Sequence, residues 1–183
     1  GDESIGVPRD SEAVDIWKEV FSTHGIEAKD VDFSSRDGMQ GGRIFYYDAS
    51  KNWWSRAGLP ENMPVGEPGG PDTELFWDFG EKLSLHETSE YKASPCHVNC
   101  DCGRFVEIGN SVFMQYMKTQ KGFEPLKQKN VDFGGGLERM TAAVLDTPDI
   151  FRIDLFKAPL TRLEDMSNRR YGELLKETRA FRV

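Results

Sequence analysis

The chain has 183 residues, 38% of them hydrophobic, with 23 Lys and Arg against 31 Asp and Glu and a net charge of −8. Such a chain is long enough for one domain, or one domain with an appendage, and its acidic balance excludes a surface that is basic throughout for nucleic acid. No apolar run approaches the roughly 20 residues of a membrane-spanning helix, and Gly1–Asp10 lacks the charged-then-apolar pattern of a signal peptide, so a cytoplasmic protein without membrane contact is expected.

Along the chain, Asp10-Ser11 is a helix start, and Val14, Trp17, Val20 and Phe21 follow at helical spacing until Gly25 ends the run. Ile44–Asp48 reads as a short strand. Lys51–Gly70, with Pro60, Pro64 and Pro68, reads as loop. Thr73–Phe79 reads as a strand, and Glu81–Gly103 as a polar, irregular insertion. Arg104–Met117 carries the clearest strand signal: Val106, Ile108, Val112, Met114 and Tyr116 share one parity, Glu107 and Gln115 the other. Asn110 falls on the apolar parity, and a bulge at Gly109 would re-aim it. Val131 begins a last short strand, Leu137–Leu145 is a helix, Pro148 breaks the pattern, and helical character returns from Arg152, with a further helix expected over Arg169–Val183. The expected class is α+β, with an antiparallel sheet flanked by helices. Charge is uneven: Lys157–Val183 has seven basic and four acidic residues, leaving −11 on the remainder.

Two segments carry chemistry. In Asn130–Met140 (NVDFGGGLERM) a strand ends in Asp132, three glycines follow, and a helix holds Arg139 in its first turn. Glycines admit close backbone approach, a helix start favours anions, and Arg139 supplies a fork for phosphate oxygens. Asp132 is suited to an ammonium group. The same segment also fits a plain glycine turn with a solvated Arg139. The second segment holds all three cysteines, Cys96, Cys100 and Cys102. An odd, clustered set is a poor disulfide framework and fits a reducing compartment with a metal or free thiols. With His86, or alternatively His97, they would complete a four-ligand zinc site; reduced cysteines in a loop are the other reading.

Taken in order, DSEAVDIWKEV (10–20), Asn52-Trp53-Trp54, GEPGGPDTELFWDFG (66–80), RFVEIGNSVFMQY (104–116), VDFGGGLER (131–139) and Ile153-Asp154-Leu155-Phe156 resemble the alanyl-tRNA synthetases, within the class II aminoacyl-tRNA synthetases. That resemblance implies an incomplete class II catalytic fold over 1–156, with the Cys/His insertion at about 81–103, and the start of a helical tRNA-recognition region over 157–183. It implies ligation of alanine to tRNA(Ala) with ATP and Mg²⁺. Trp54 would wall the alanine pocket, Asn110 would hydrogen-bond near the carboxylate and amino group, Asp132 would bind the ammonium and Gly134 would leave room for the methyl. Glu107 would sit near ATP and its Mg²⁺, and Arg139 would clamp the γ-phosphate. Two earlier family elements and the family's later domains have no match here, so a fragment inactive alone is expected. A non-catalytic synthetase-like module that binds a small amino acid or a protein partner is the alternative. Three departures stand out. Asp72 follows Pro71 where the family loop carries cysteines, Gly109 stands where a Trp is common, with Trp53 a candidate to compensate, and the 82–102 connection is unusually long.

Overall fold

In the computed structural model, which describes residues 1–173, helix α1 runs Ser11–Thr23 as the spacing predicts. The Asp10 carboxylate accepts the Ala13 N–H at 2.9 Å, satisfying one of the free donors of the first turn. At the other end Gly25 adopts φ 72°, and the N–H groups of Gly25 and Ile26 bond back to the Ser22 and Phe21 carbonyls. That double closure needs a residue tolerant of the left-handed region, which is why the helix stops at this glycine. Next come strand β1 (Asp30–Val31), the short helix α2 (Ser34–Asp37) and strand β2 (Ile44–Phe45), with β1 and β2 paired in parallel. The strand expected to reach Asp48 is shorter because the Asp48 carbonyl accepts from Lys51 and Asn52, turning the chain away.

A five-stranded antiparallel sheet follows: β3 (Trp54–Ser55), β4 (Pro68–Gly70), β5 (Asp72–Asp78), β6 (Phe105–Thr119) and β7 (Gly122–Gly135). The order is β3-β4-β6-β5, with β7 along the other edge of β6. The central β6 is long enough to take β5 on its first half and β4 on its second. The segment read as loop from Lys51 to Gly70 therefore hides two strands. Their glycines explain why: a Cβ on Gly70 would lie 1.8 Å from the Phe113 carbonyl oxygen, so β4 can approach β6 only without side chains there. Val7, Ala49, Trp53 and Met63 form a buried cluster, joined by Tyr116 of β6 and Phe123 of β7. The Trp53 and Phe123 rings lie 4.8 Å apart. Burying each such apolar side chain contributes about 1.5–3 kcal/mol. Between β5 and β6, residues 84–103 contain turns and no helix or strand, as their composition predicts.

Gly1–Gly135 is one compact unit, and Gly136 begins a second. The second holds helix α3 (Leu137–Val144), a 3-10 turn at Ile150–Arg152 and helix α4 (Asp154–Ser167). Its interior includes Ala142, Ala143 and Ile153, with Phe151 against Phe156 at 5.0 Å. Asn168 closes α4 in the left-handed region at φ 53°. The helix expected over Arg169–Val183 does not form in its described part, Arg169–Glu173, which is coil and turn. There the Tyr171 N–H donates back to the Glu164 carboxylate and its hydroxyl to Asp149, folding the chain onto α4. Residues 174–183 lie outside the described residues. Antiparallel sheet and helices together make the α+β class that the sequence suggests.

Candidate functional site

Strand register decides which candidate side chains share a face. Opposite β5, Leu75 pairs with Gly109 and Phe76 with Glu107, so Ile108 is an extra residue on β6. This bulge reverses the parity beyond it. Glu107 and Asn110, on opposite parities in the sequence, consequently face the same way, across from Phe76 and Glu74. On the other edge of β6, Gly134 pairs with Asn110 and Asp132 with Val112, which itself pairs with Asp72. Paired residues in an antiparallel ladder point to one side. Asp72, Glu74, Glu107, Asn110, Asp132 and Gly134 thus occupy a single face across three strands.

On that face Asp72, at the start of β5, gathers two side-chain amides. The Asn110 amide donates to one carboxylate oxygen at 3.0 Å, and the Asn52 amide donates to the other at 3.3 Å. Burial lifts the Asp72 carboxyl above its ordinary value; the two amide donors oppose this, and the nearby Glu107 charge adds to it. An ionised carboxylate only accepts, so Asn110 must turn its nitrogen to Asp72. Its Oδ1 is then a buried acceptor with no hydrogen-bond partner. Such a group costs about 1–3 kcal/mol until a donor reaches it. An N–H donor brought to this face would satisfy that oxygen.

Space on the face is uneven. A Cβ placed on Gly134 would meet nothing within 4 Å. On the opposite side of the sheet, a Cβ on Gly109 would meet the Phe133 ring at 2.9 Å. Phe133, not Trp53, fills the space over Gly109, because Trp53 lies in the buried cluster beside Phe123. Trp54 stands 45% exposed on β3.

A cavity of about 1040 Å³ runs beside β5. Its walls include Trp17 and Phe21 of α1, Arg9, Tyr46, Tyr47, Val98 and Asn99. Trp54, Glu107, Asn110, Asp132 and Gly134 do not line it; Asp72 and Asn52 do, so the cavity and the polar face meet there. Arg9 bonds Asp32 at 2.7 Å and lies over the Tyr46 ring. Burial, then the hydrogen bond to Asp30, pushes the Tyr46 hydroxyl up to about 12. At the far end of β5, Arg104 grips Asp78 with two bonds of 2.7 and 2.9 Å.

In the second unit, Arg139 is the third residue of α3. Its side chain folds back over the helix start, where a Cβ on Gly136 would lie 2.7 Å from Arg139 Nε. That glycine therefore makes the room in which the guanidinium lies.

Within the insertion, Cys96, Cys100, Cys102 and His86 bring their donor atoms within 4.8 Å of one another, a group that could hold a metal ion. His97 is not in it; its Nδ1 instead meets the Tyr47 hydroxyl at 2.8 Å. All three cysteines are free of disulfides. Burial, then the adjoining Cys102, pushes the Cys96 thiol up to about 12.

A family model described as tRNA synthetases class II (A) matches residues 5–183. An alanine–tRNA ligase of Borrelia hermsii is 35% identical over 187 positions, covering 100% of this chain and 26% of its own length. One from Treponema denticola is 34% identical over 96% of this chain and 24% of its own length. Alanine–tRNA ligase 1 of Lachnoclostridium phytofermentans is 34% identical over 95% of the chain. The chain spans about a quarter of the length of the first two relatives.

Proposed function

The chain belongs to the class II (A) tRNA synthetases, and from that premise we propose that it supplies part of the alanine-activating site of an alanine–tRNA ligase. The observation that carries this reading is the Asp72-locked Asn110, whose buried Oδ1 awaits a donor on the face it shares with Asp132 and Gly134. The α-ammonium of alanine is such a donor. In this reading Asn110 Oδ1 and the Asp132 carboxylate hold the ammonium, and the open side of Gly134 admits the methyl group. Trp54 remains the proposed limit on side-chain size, Glu107 the residue toward ATP and Mg²⁺, and Arg139 the cation for the γ-phosphate.

The chemistry is displacement at phosphorus. The alanine carboxylate attacks the α-phosphate of ATP in line, the bond to the β-phosphate oxygen breaks, and pyrophosphate leaves. The terminal hydroxyl of tRNA(Ala) then attacks the adenylate carbonyl and AMP departs. Neither step needs a nucleophilic side chain. Positioning and opposite charge carry the rate, and these residues hold and orient the substrate. Magnesium, when bound, neutralises phosphate charge. Residues 157–183 are assigned to the start of the tRNA-recognition part. Zinc is the ion assigned to Cys96, Cys100, Cys102 and His86, since thiolates with one imidazole favour it.

Titration calorimetry with a non-hydrolysable alanyl-adenylate analogue tests the pocket. Asp132→Ala is expected to weaken binding at least tenfold. Gly134→Ala is expected to melt like the unmodified chain yet also bind more weakly, because the added methyl takes the open space. Equal binding by all three proteins would sink the assignment, and so would an absence of binding by the unmodified chain.

A further inference from the structure

Resting on zinc as the ion of the Cys/His group, we infer that this group is a clasp for one wall of the cavity beside β5. The ion pins both ends of the three-residue segment between Cys96 and Cys100. Within that segment, His97-Val98-Asn99, Val98 and Asn99 line the cavity, and His97 meets the hydroxyl of Tyr47, another cavity-lining residue.

Ligand spacing supports a tetrahedral ion. Zn–S bonds of about 2.3 Å and Zn–N bonds of about 2.0 Å separate sulfurs by about 3.8 Å and sulfur from nitrogen by about 3.5 Å. Cys96 Sγ and Cys102 Sγ lie 3.9 Å apart, and Cys100 Sγ lies 3.6 Å from His86 Nδ1. His86 is oriented for ligation. Its Nε2 lies 2.9 Å from the Ser94 carbonyl oxygen, which can only accept. Nε2 therefore carries the hydrogen, and Nδ1 turns a free lone pair toward the thiols, as second-sphere contacts to metal-bound imidazoles commonly arrange. His86 and Cys100 are both buried.

The rest of the argument concerns what this knot holds. Residues 84–103 have no helix or strand, so no backbone ladder fixes them. His97 meets the Tyr47 hydroxyl at 2.8 Å, and Tyr47 in turn meets Ser34 Oγ at 2.8 Å. Val98 and Asn99 line the cavity together with Tyr47. A Cβ on Gly38 would lie 3.4 Å from the Cys96 carbonyl oxygen, so the chain after α2 runs close against the knot. Metal at one end and Tyr47 at the other thus hold the wall in place. Loss of the ion frees 97–99, and with it the side chains around Tyr47.

The test pairs elemental analysis with hydrogen exchange read by mass spectrometry, on the chain purified with zinc. One zinc per chain is expected. Chelation should speed exchange at least tenfold over 86–103 and also over 34–38 and 44–48, leave β6 protected, and be reversed by zinc. Tyr47→Phe should keep its zinc but lose protection at 97–99. Zinc-bound protein whose chelation effect stops at 86–103 would overturn the clasp and leave the zinc assignment standing. A chain that takes up no zinc overturns both. If chelation unfolds the whole unit, Tyr47→Phe decides: full protection of 97–99 with zinc bound overturns the clasp.

Discussion

Asp72 and Asp78 stand on the same strand and the same face, yet their carboxyl groups shift in opposite directions. Asp72 is lifted by burial and the Glu107 charge against the pull of two neutral amides. Burial also opposes the charge on Asp78, but the Arg104 guanidinium and the Gly80 N–H outweigh it, leaving the group below its ordinary value. Titration of the two carboxyl carbons by NMR should therefore find Asp72 above, and Asp78 below, the usual value of about 3.9. Stability follows with opposite signs. The depressed Asp78 contributes stability that is complete above about 3.9 and disappears as pH falls through its lower folded value. The raised Asp72 contributes stability below about 3.9 that disappears as pH rises through its higher folded value. Asp78→Asn should cost about 2 kcal/mol at pH 7 by stranding a half-buried Arg104, and urea melts should show the gap closing as the pH falls below the ordinary carboxylate range. An unchanged gap would mean that Arg104 draws little from Asp78. The contrast was not legible from residue types, since Asn110 and Arg104 lie 38 and 26 positions from Asp72 and Asp78.

Among the elements, those with local signals were readable and those made by close approach were not. Helix α1 carries its own start, period and stop, so the expectation and the observed Ser11–Thr23 agree. Asp10→Ala should cost about 1 kcal/mol through the lost cap, measurable as a lower thermal midpoint. Strands β3 and β4 offered no alternation to read, because Gly69 and Gly70 are present for their lack of a side chain. Gly70→Ala is expected to destabilise by about 3 kcal/mol or more, since the new methyl would strike backbone that cannot turn aside. A melt equal to that of the unmodified chain would show that β4 can shift away from β6 at little cost. The β6 bulge was suspected at Gly109, and its extra residue is Ile108. Sequence could suggest a bulge because Asn110 sat among apolar neighbours; only pairing with β5 could say where the count slips.

For the whole molecule, the insertion and the sheet form one compact unit while α3 and α4 belong to another. Metal should therefore act on the first unit. Ligand present at 1,000 times its dissociation constant stabilises the folded state by about 4 kcal/mol. Scanning calorimetry with and without chelator should show the midpoint of the first unit falling by several degrees, and an unmoved trace would argue against a structural ion. Sequence by itself determined the α+β class, the family resemblance, the capped first helix and the cysteine-rich insertion, because periodicity, caps and ordered motifs are written in neighbouring residues. It left His86 and His97 as alternatives for the metal group, and it passed over Asp72 and Asn52. Only the tertiary structure brought His86 to the cysteines and joined Asp72 to Asn110 and Tyr47 to His97. The last two contacts bridge 38 and 50 positions, and the first of them depends on the β5–β6 register, which only strand pairing fixes.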